Sequence, residues 1–136
     1  VDNNRWWGYD YREDISITGP VDEDTFYDST MYDMRAGDSI NFAVRLTQDG
    51  PMIGEVILWR FASDGSAELG CRLLPEYQGR GIGRAAFCAA ADFAEGTLGL
   101  AVRARCHLEN LASYRMITGS GFQATHQDGE YYYFTR

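Results

Sequence analysis

An α+β fold on a mixed, mostly antiparallel sheet flanked by helices is predicted for the 136-residue chain, as one domain over residues 1–136. Three observations predict it. Three short strand-like segments are joined by turns too short for crossovers. A glycine cluster then opens an alanine-rich helix, which separates the third strand from the next. Finally, two strand-like runs flank Asp128-Gly129, a tight-turn dipeptide.

Taken in order, residues 1–20 are irregular and aromatic. Residues 22–37, DEDTFYDSTMYDMRAG, read as a helix with acidic residues at its N-terminus and a stop near Gly37. SINFAVRLT (39–47) alternates as a strand, Asp49-Gly50-Pro51 turns, and MIGEVILWRF (52–61) is the second strand. Ser63-Asp64-Gly65-Ser66 is the next turn, and AELGCRLL (67–74) the third strand. In the helix over 82–95, Ile82, Ala85, Ala86, Ala89, Ala90 and Phe93 recur at helical spacing, and the small side chains imply close packing on a sheet. LGLAVRARC (98–106) is a strand parallel to the third. NLASYRMIT (110–118) is a short helix capped by Asn110. FQATHQ (122–127) and EYYYFTR (130–136) form a hairpin. The order is α-β-β-β-α-β-α-β-β.

Composition narrows the function. The hydrophobic share of 45% and nine Tyr, seven Phe and three Trp suit a globular chain. The three cysteines, Cys71, Cys88 and Cys106, form no CxxC, which argues for reduced thiols and against a zinc site or a disulfide framework. No apolar run approaches the ~20 residues that span a bilayer, and there is no basic, apolar leader. The expected location is the cytoplasm, without membrane contact. A net charge of −8 and a pI of about 4.6 argue against a nucleic-acid partner and for a cationic one, or for solubility alone.

The richest stretch is PEYQGRGIGRAAFCAAADFAEG (75–96). Gly79, Gly81 and Gly83 stand immediately before or within the first turn of a helix. Glycines there let a ligand approach unpaired N–H groups at the positive end of the helix dipole, which suits phosphate. Arg80 and Arg84 add positive charge. Three phosphate-binding classes compete. A P-loop requires Gly-Lys-Ser/Thr, which is absent. Gly81–Ala86 reads formally as GxGxxA, the dinucleotide fingerprint. However, Pro75–Gln78 separates it from its strand, no acidic ribose partner follows, and a meander precedes it where a βαβ unit is required.

The third class fits. Gln78-Gly79-Arg80-Gly81-Ile82-Gly83 matches Q/R-x-x-G-x-G/A, the acyl-CoA pyrophosphate loop of the GNAT N-acetyltransferase superfamily. LPEYQGRGIG (74–83) resembles that family's whole strand–loop–helix junction. ENLASYRMITGSGF (109–122), AELGCRLLPEYQGRGIG (67–83) and NRWWGYDY (4–11) are similar to the RimJ/RimL subgroup of ribosomal-protein alanine acetyltransferases. The family ordinarily has a strand and a helix ahead of the segment resembling NRWWGYD, whereas this chain begins there. The resemblance therefore implies either the C-terminal part of a longer protein or a GNAT fold without its first strand.

The resemblance implies acetyl-CoA as co-substrate, no metal, and direct transfer of the acetyl group to a primary amine. The acceptor is a protein N-terminus or a small molecule. The pantetheine arm would lie in a splay between the third strand here and the next, pairing with the backbone of Leu73 and Leu74. The pyrophosphate would rest on N–H groups from Gln78 through Gly79, Arg80, Gly81 and Ile82 to Gly83, with Arg80 and Arg84 near the phosphates. Asn110 would bond the CoA arm as well as cap its helix.

Ser113 is a candidate proton donor to the leaving thiolate, since Ile117 occupies the position where some members carry a tyrosine acid. Glu68 is the first candidate base, expected in an apolar setting that would raise its basicity. Glu55 and Glu109 are fallbacks. Backbone N–H groups near Leu73 would hold the oxyanion. Cys71 lies near the splay, but no histidine is placed by sequence to activate it. His107 and His126 read as structural. Trp7, Tyr9 and Tyr11 would line the acceptor entrance, where Asp10, Glu13 and Asp14 would attract an amine. The alternative function is a CoA-binding module that has lost catalysis, within a larger or tandem protein. The aromatic EYYYFTR strand suggests pairing as a homodimer.

Overall fold

Period-two alternation in a computed structural model, which describes residues 37–136, builds six strands. The helix expected over 22–37, apart from Gly37, and the aromatic segment 4–14 lie outside the described residues. The strands are β1 (Ser39–Val44), β2 (Gly54–Trp59), β3 (Ser66–Leu73), β4 (Ala101–His107), β5 (Gln123–Gln127) and β6 (Tyr131–Thr135). Two helices, α1 (Ile82–Gly96) and α2 (Leu111–Gly119), interrupt them, and Pro75–Tyr77 forms one 3-10 turn before α1.

The sheet runs β1-β2-β3-β4-β6-β5. All neighbours are antiparallel except β3 and β4, which are parallel. The expected meander, parallel crossover and terminal hairpin are therefore all present. The fourth strand starts at Ala101 and not at 98, because Gly99 takes a left-handed φ of 67° and turns the chain before pairing begins.

Each strand divides its side chains between two faces. On one face Val56, Leu58, Leu69, Ala104 and Phe134 are buried beneath α1. That helix contributes Phe87, Ala90, Ala91 and Ala94, and its alanines let it lie close to the sheet. Burying one such large side chain stabilises by about 1.5–3 kcal/mol. The opposite face is polar. It carries Glu55 and Trp59 from β2, Glu68 from β3, and Arg103 and Arg105 from β4. Glu55 and Glu68 are nonetheless buried, and each is matched by arginine.

One irregularity positions the site. β3 and β4 pair only from Ser66 to Glu68 and from Ala101 to Arg103. Beyond these residues the two strands diverge, with α2 and the loop before α1 flanking the opening. Among the described residues no helix is long and apolar enough to cross a membrane.

Candidate active site

The divergence of β3 and β4 opens a cleft of about 850 Å³. The cleft runs from Glu68 and Arg105 at the narrow end of the splay to the glycine loop and the start of α2. Leu74 donates its N–H to the carbonyl of Ile53, the residue before β2, at 2.8 Å. Peptide groups alternate sides along a strand, so those of Leu69, Cys71 and Leu73 turn toward the splay. Leu73 is thus placed for backbone pairing inside the cleft, although its carbonyl already accepts from Gln78 Nε2 at 3.1 Å. Leu74 is not so placed: its N–H is taken by Ile53, its side chain is exposed, and it does not line the cleft.

The glycine loop divides its labour. Gly79 and Gly81 have φ of 74° and 79°, a left-handed conformation that a Cβ would strain, and a Cβ at either would meet nothing within 4 Å. Their requirement is conformational. Gly83 has an ordinary φ, but its Cβ would come within 3.2 Å of Met116 Sδ and 3.3 Å of Leu73 Cδ1. Its requirement is helix packing. Gly81 is the N-cap of α1 and offers no side-chain cap, so the N–H groups of Ile82, Gly83 and Arg84 have no intrahelical acceptor. Those of Gly79 to Gly81 have none among the described residues either.

Gln78 departs from the expectation, because its N–H donates to Pro75 O at 3.2 Å and its side chain closes onto β3. The row of open donors therefore begins at Gly79. Arg84 lines the cleft and lies against Gly119 at the end of α2, whereas Arg80 stacks over Tyr77 at 5.7 Å outside it.

Across the opening, Asn110 caps α2, its Oδ1 accepting from Ser113 N at 3.2 Å. Its amide donors have no acceptor among the described residues, and neither does the Ser113 hydroxyl. Both residues line the cleft. Ile117 sits in the core at 2% exposure, and Tyr114 packs edge-on against Tyr132 and Phe134, away from the cleft.

The expected apolar setting of Glu68 is not met. The carboxylate is buried, but Arg60 Nη1 reaches Oε2 at 2.7 Å and Arg105 Nε reaches Oε1 at 2.8 Å. Glu55 is committed to Arg72 at 2.8 Å and Asn41 at 3.1 Å and does not line the cleft, while Glu109 does. Two thiols, Cys71 and Cys106, also line it. Burial pushes Cys71 up to about 12, with the Glu55 charge adding to it, and pushes Cys106 up to about 11. Thiols held this high are poor nucleophiles near neutrality, which argues against the acyl-cysteine route. Among the described residues no group of three or more His, Cys, Asp and Glu is placed to hold a metal.

Reading from sequence missed Arg60, Arg105 and Tyr131, which line the narrow end of the cleft. Alternation in AVRARC was a signal for Arg103 and Arg105 sharing a face. Arg60 carried no such signal. Trp7, Tyr9 and Tyr11 lie outside the described residues.

Comparison with known proteins bears on the fold. The acetyltransferase (GNAT) domain matches residues 4–123. A GNAT-family acetyltransferase from Bacillus anthracis is similar at a TM-score of 0.71 and 22% identity, covering 87% of this chain and 76% of that one. The spermidine N-acetyltransferase of Vibrio cholerae, in complex with CoA and spermine, has a TM-score of 0.75 and 20% identity, covering 99% and 80%. The ribosomal-protein-S5-alanine acetyltransferase of Vibrio fischeri has a TM-score of 0.71 and 16% identity, covering 93% and 81%. A search of curated proteins gave no match. The strand order, the splay and the family match over 4–123 together make this chain a member of the GNAT acetyltransferase family, and hence an N-acetyltransferase domain.

Proposed function

We propose that the chain binds acetyl-CoA in the β3–β4 cleft and transfers the acetyl group directly to a primary amine. One observation carries this reading. Beyond its pairing with β4, β3 leads into a row of N–H donors at the start of α1 that have no acceptor among the described residues, opposite the Asn110 amide. An extended amide-bearing arm ending in a pyrophosphate meets complementary groups along that whole path. Gly79, Gly81, Ile82 and Gly83 receive the pyrophosphate, Arg84 adds charge, and Leu73 and Asn110 bond the arm. Arg80 reaches a phosphate only by leaving Tyr77.

In the reaction the amine nitrogen attacks the thioester carbonyl. The C–N bond forms, the C–S bond breaks, and the N–H groups facing the splay near Leu73 hold the oxyanion. Glu68 takes the amine proton, since each carboxylate oxygen keeps a lone pair beyond its guanidinium contact. Ser113 passes a proton to the departing thiolate and recovers one from water. Within the family, the resemblance of residues 4–11 and 109–122 supports the ribosomal-protein alanine acetyltransferase type. Trp7, Tyr9 and Tyr11 would then line the acceptor entrance. Self-association would use β5, exposed along its length at the sheet edge.

A second reading, a CoA-binding module without catalysis, draws support from the buried Ile117 in place of an acid. Calorimetric titration of acetyl-CoA, with NADPH as control, followed by a turnover assay on an amine panel separates the two. Binding with turnover supports the enzyme, and binding without turnover supports the module. In Glu68→Gln the rate is expected to fall about 10²–10⁴-fold, the usual range for a lost general base, with acetyl-CoA affinity unchanged. An unaltered rate removes Glu68 from the reaction.

A further inference from the structure

We infer that the acceptor is an amine that also bears a carboxylate, held by Arg60 and Arg105 at the narrow end of the cleft. This rests on the acetyl-CoA reading above and names the substrate class for it. The chain as a whole is acidic, at −8, yet five arginines and two glutamates line the cleft. Two of those arginines, Arg84 and Arg115, belong to its phosphate side. At the other side Glu68 faces two guanidiniums, those of Arg60 and Arg105, and Arg103 adjoins through its bond to the Arg60 carbonyl.

These two guanidiniums are set in place before any ligand arrives. Arg60 stacks on Trp59 at 4.4 Å, and Arg105 lies between Tyr131 and Tyr133, at 5.4 and 5.3 Å. Arg60 also holds a left-handed backbone, φ 49°, which is uncommon for a residue with a side chain and concentrates at functional sites. Arg103 Nη2 bonds the Arg60 carbonyl and fixes that turn.

The donors are underused. Each arginine spends one N–H on Glu68, and the remaining N–H groups have no acceptor among the described residues. Their side chains keep 44% and 31% of their exposure, so an incoming group can reach them. Planar guanidinium donors match a carboxylate. An amine bearing a carboxylate satisfies both signs at once: its carboxylate meets the arginines while its ammonium faces Glu68. A polyamine brings only positive charge to two fixed guanidiniums.

The test compares amines matched except for the carboxylate, with acetyl-CoA. Free amino acids run against their decarboxylated amines, peptides with an acidic second residue run against the amide forms, and spermidine is included. Carboxylate members are expected to show at least tenfold higher kcat/KM. The free and peptide arms identify the source of the carboxylate. Arg60→Gln is expected to raise KM at least tenfold more for the carboxylate amines than for their matched amines, whatever it does to turnover through its bond to Glu68. Arg105→Lys, which keeps the charge and loses the fork, is expected to give a smaller rise. Calorimetry should show acetyl-CoA affinity unchanged in both variants.

If acetyl-CoA does not bind the unmodified chain, the cleft reading fails and this inference falls with it. If it binds and the enzyme is indifferent to the carboxylate or prefers spermidine, only the inference is overturned. It is overturned equally if no amine turns over and carboxylate amines give no heat with the CoA-loaded protein.

Discussion

At Gly81 the backbone carries the constraint. The left-handed φ costs a side-chain-bearing residue about 1–2 kcal/mol. Gly81→Asp adds a carboxylate beside the proposed pyrophosphate site. It is expected to abolish acetyl-CoA binding in calorimetry, and normal affinity would refute the phosphate-loop assignment. Gly83→Ala tests a different term, because its neighbours, Met116 and Leu73, are side-chain ends that can shift. The cysteines make a second prediction at this scale. With Cys71 up at about 12 and Cys106 at about 11, both are expected to resist iodoacetamide at pH 8 in the native protein and to react after denaturation, as read by mass spectrometry. Rapid native alkylation of Cys71 would reopen the thiol route.

Among the elements, the β5–β6 hairpin carries its own acid-sensitive lock. The Tyr133 hydroxyl and the N–H groups of Tyr131 and Glu130 all donate to Asp128 and hold it down to about 2. The ordinary carboxylate value lies near 3.9. The native value is the lower one, so this contribution is complete above about pH 4 and is lost as pH falls toward about 2. Protection of the Tyr131–Thr135 amides, taken against the intrinsic exchange rate at each pH, is expected to fall over that window in the unmodified chain. In Tyr133→Phe the acid-induced change should shrink, since the largest contributor is gone. Equal acid sensitivity in both would show that the lock contributes nothing. α2 has a comparable device at its start, where Asn110 caps and faces the cleft together. One residue thus couples helix formation to the site.

For the whole molecule, the core joins α1 to the sheet beside the splay. Phe87 is 1% exposed, contacts Phe122 at 5.2 Å between ring centroids, and lines the cleft floor. Phe87→Ala is expected to destabilise by about 3–5 kcal/mol. Chemical denaturation should show a lower midpoint, and an unchanged midpoint would mean that the helix is not anchored there. The same scale accounts for the charge distribution. The acidic balance read from the whole chain does not describe the cleft, where arginines outnumber glutamates.

Local sequence determined a good deal. The turns at Asp49-Gly50-Pro51 and Asp128-Gly129, the alternation of the strands, the alanine stripe of α1 and the Asn110 cap are all short-range signals. They produced the observed element order within the described residues. The glycine loop was legible because left-handed backbone and a helix start can be read from adjacent residues. The surroundings of Glu68 were not legible. Its partners come from the residue after β2 and from β4, eight and 37 positions away, and only the sheet register brings them together. The commitment of Gln78 and Leu74 to backbone carbonyls was hidden for the same reason. Periodicity tells which face a side chain takes, while the charge it meets there depends on which strands become neighbours. Tertiary structure alone turned a glutamate expected in an apolar setting into the centre of an arginine pair.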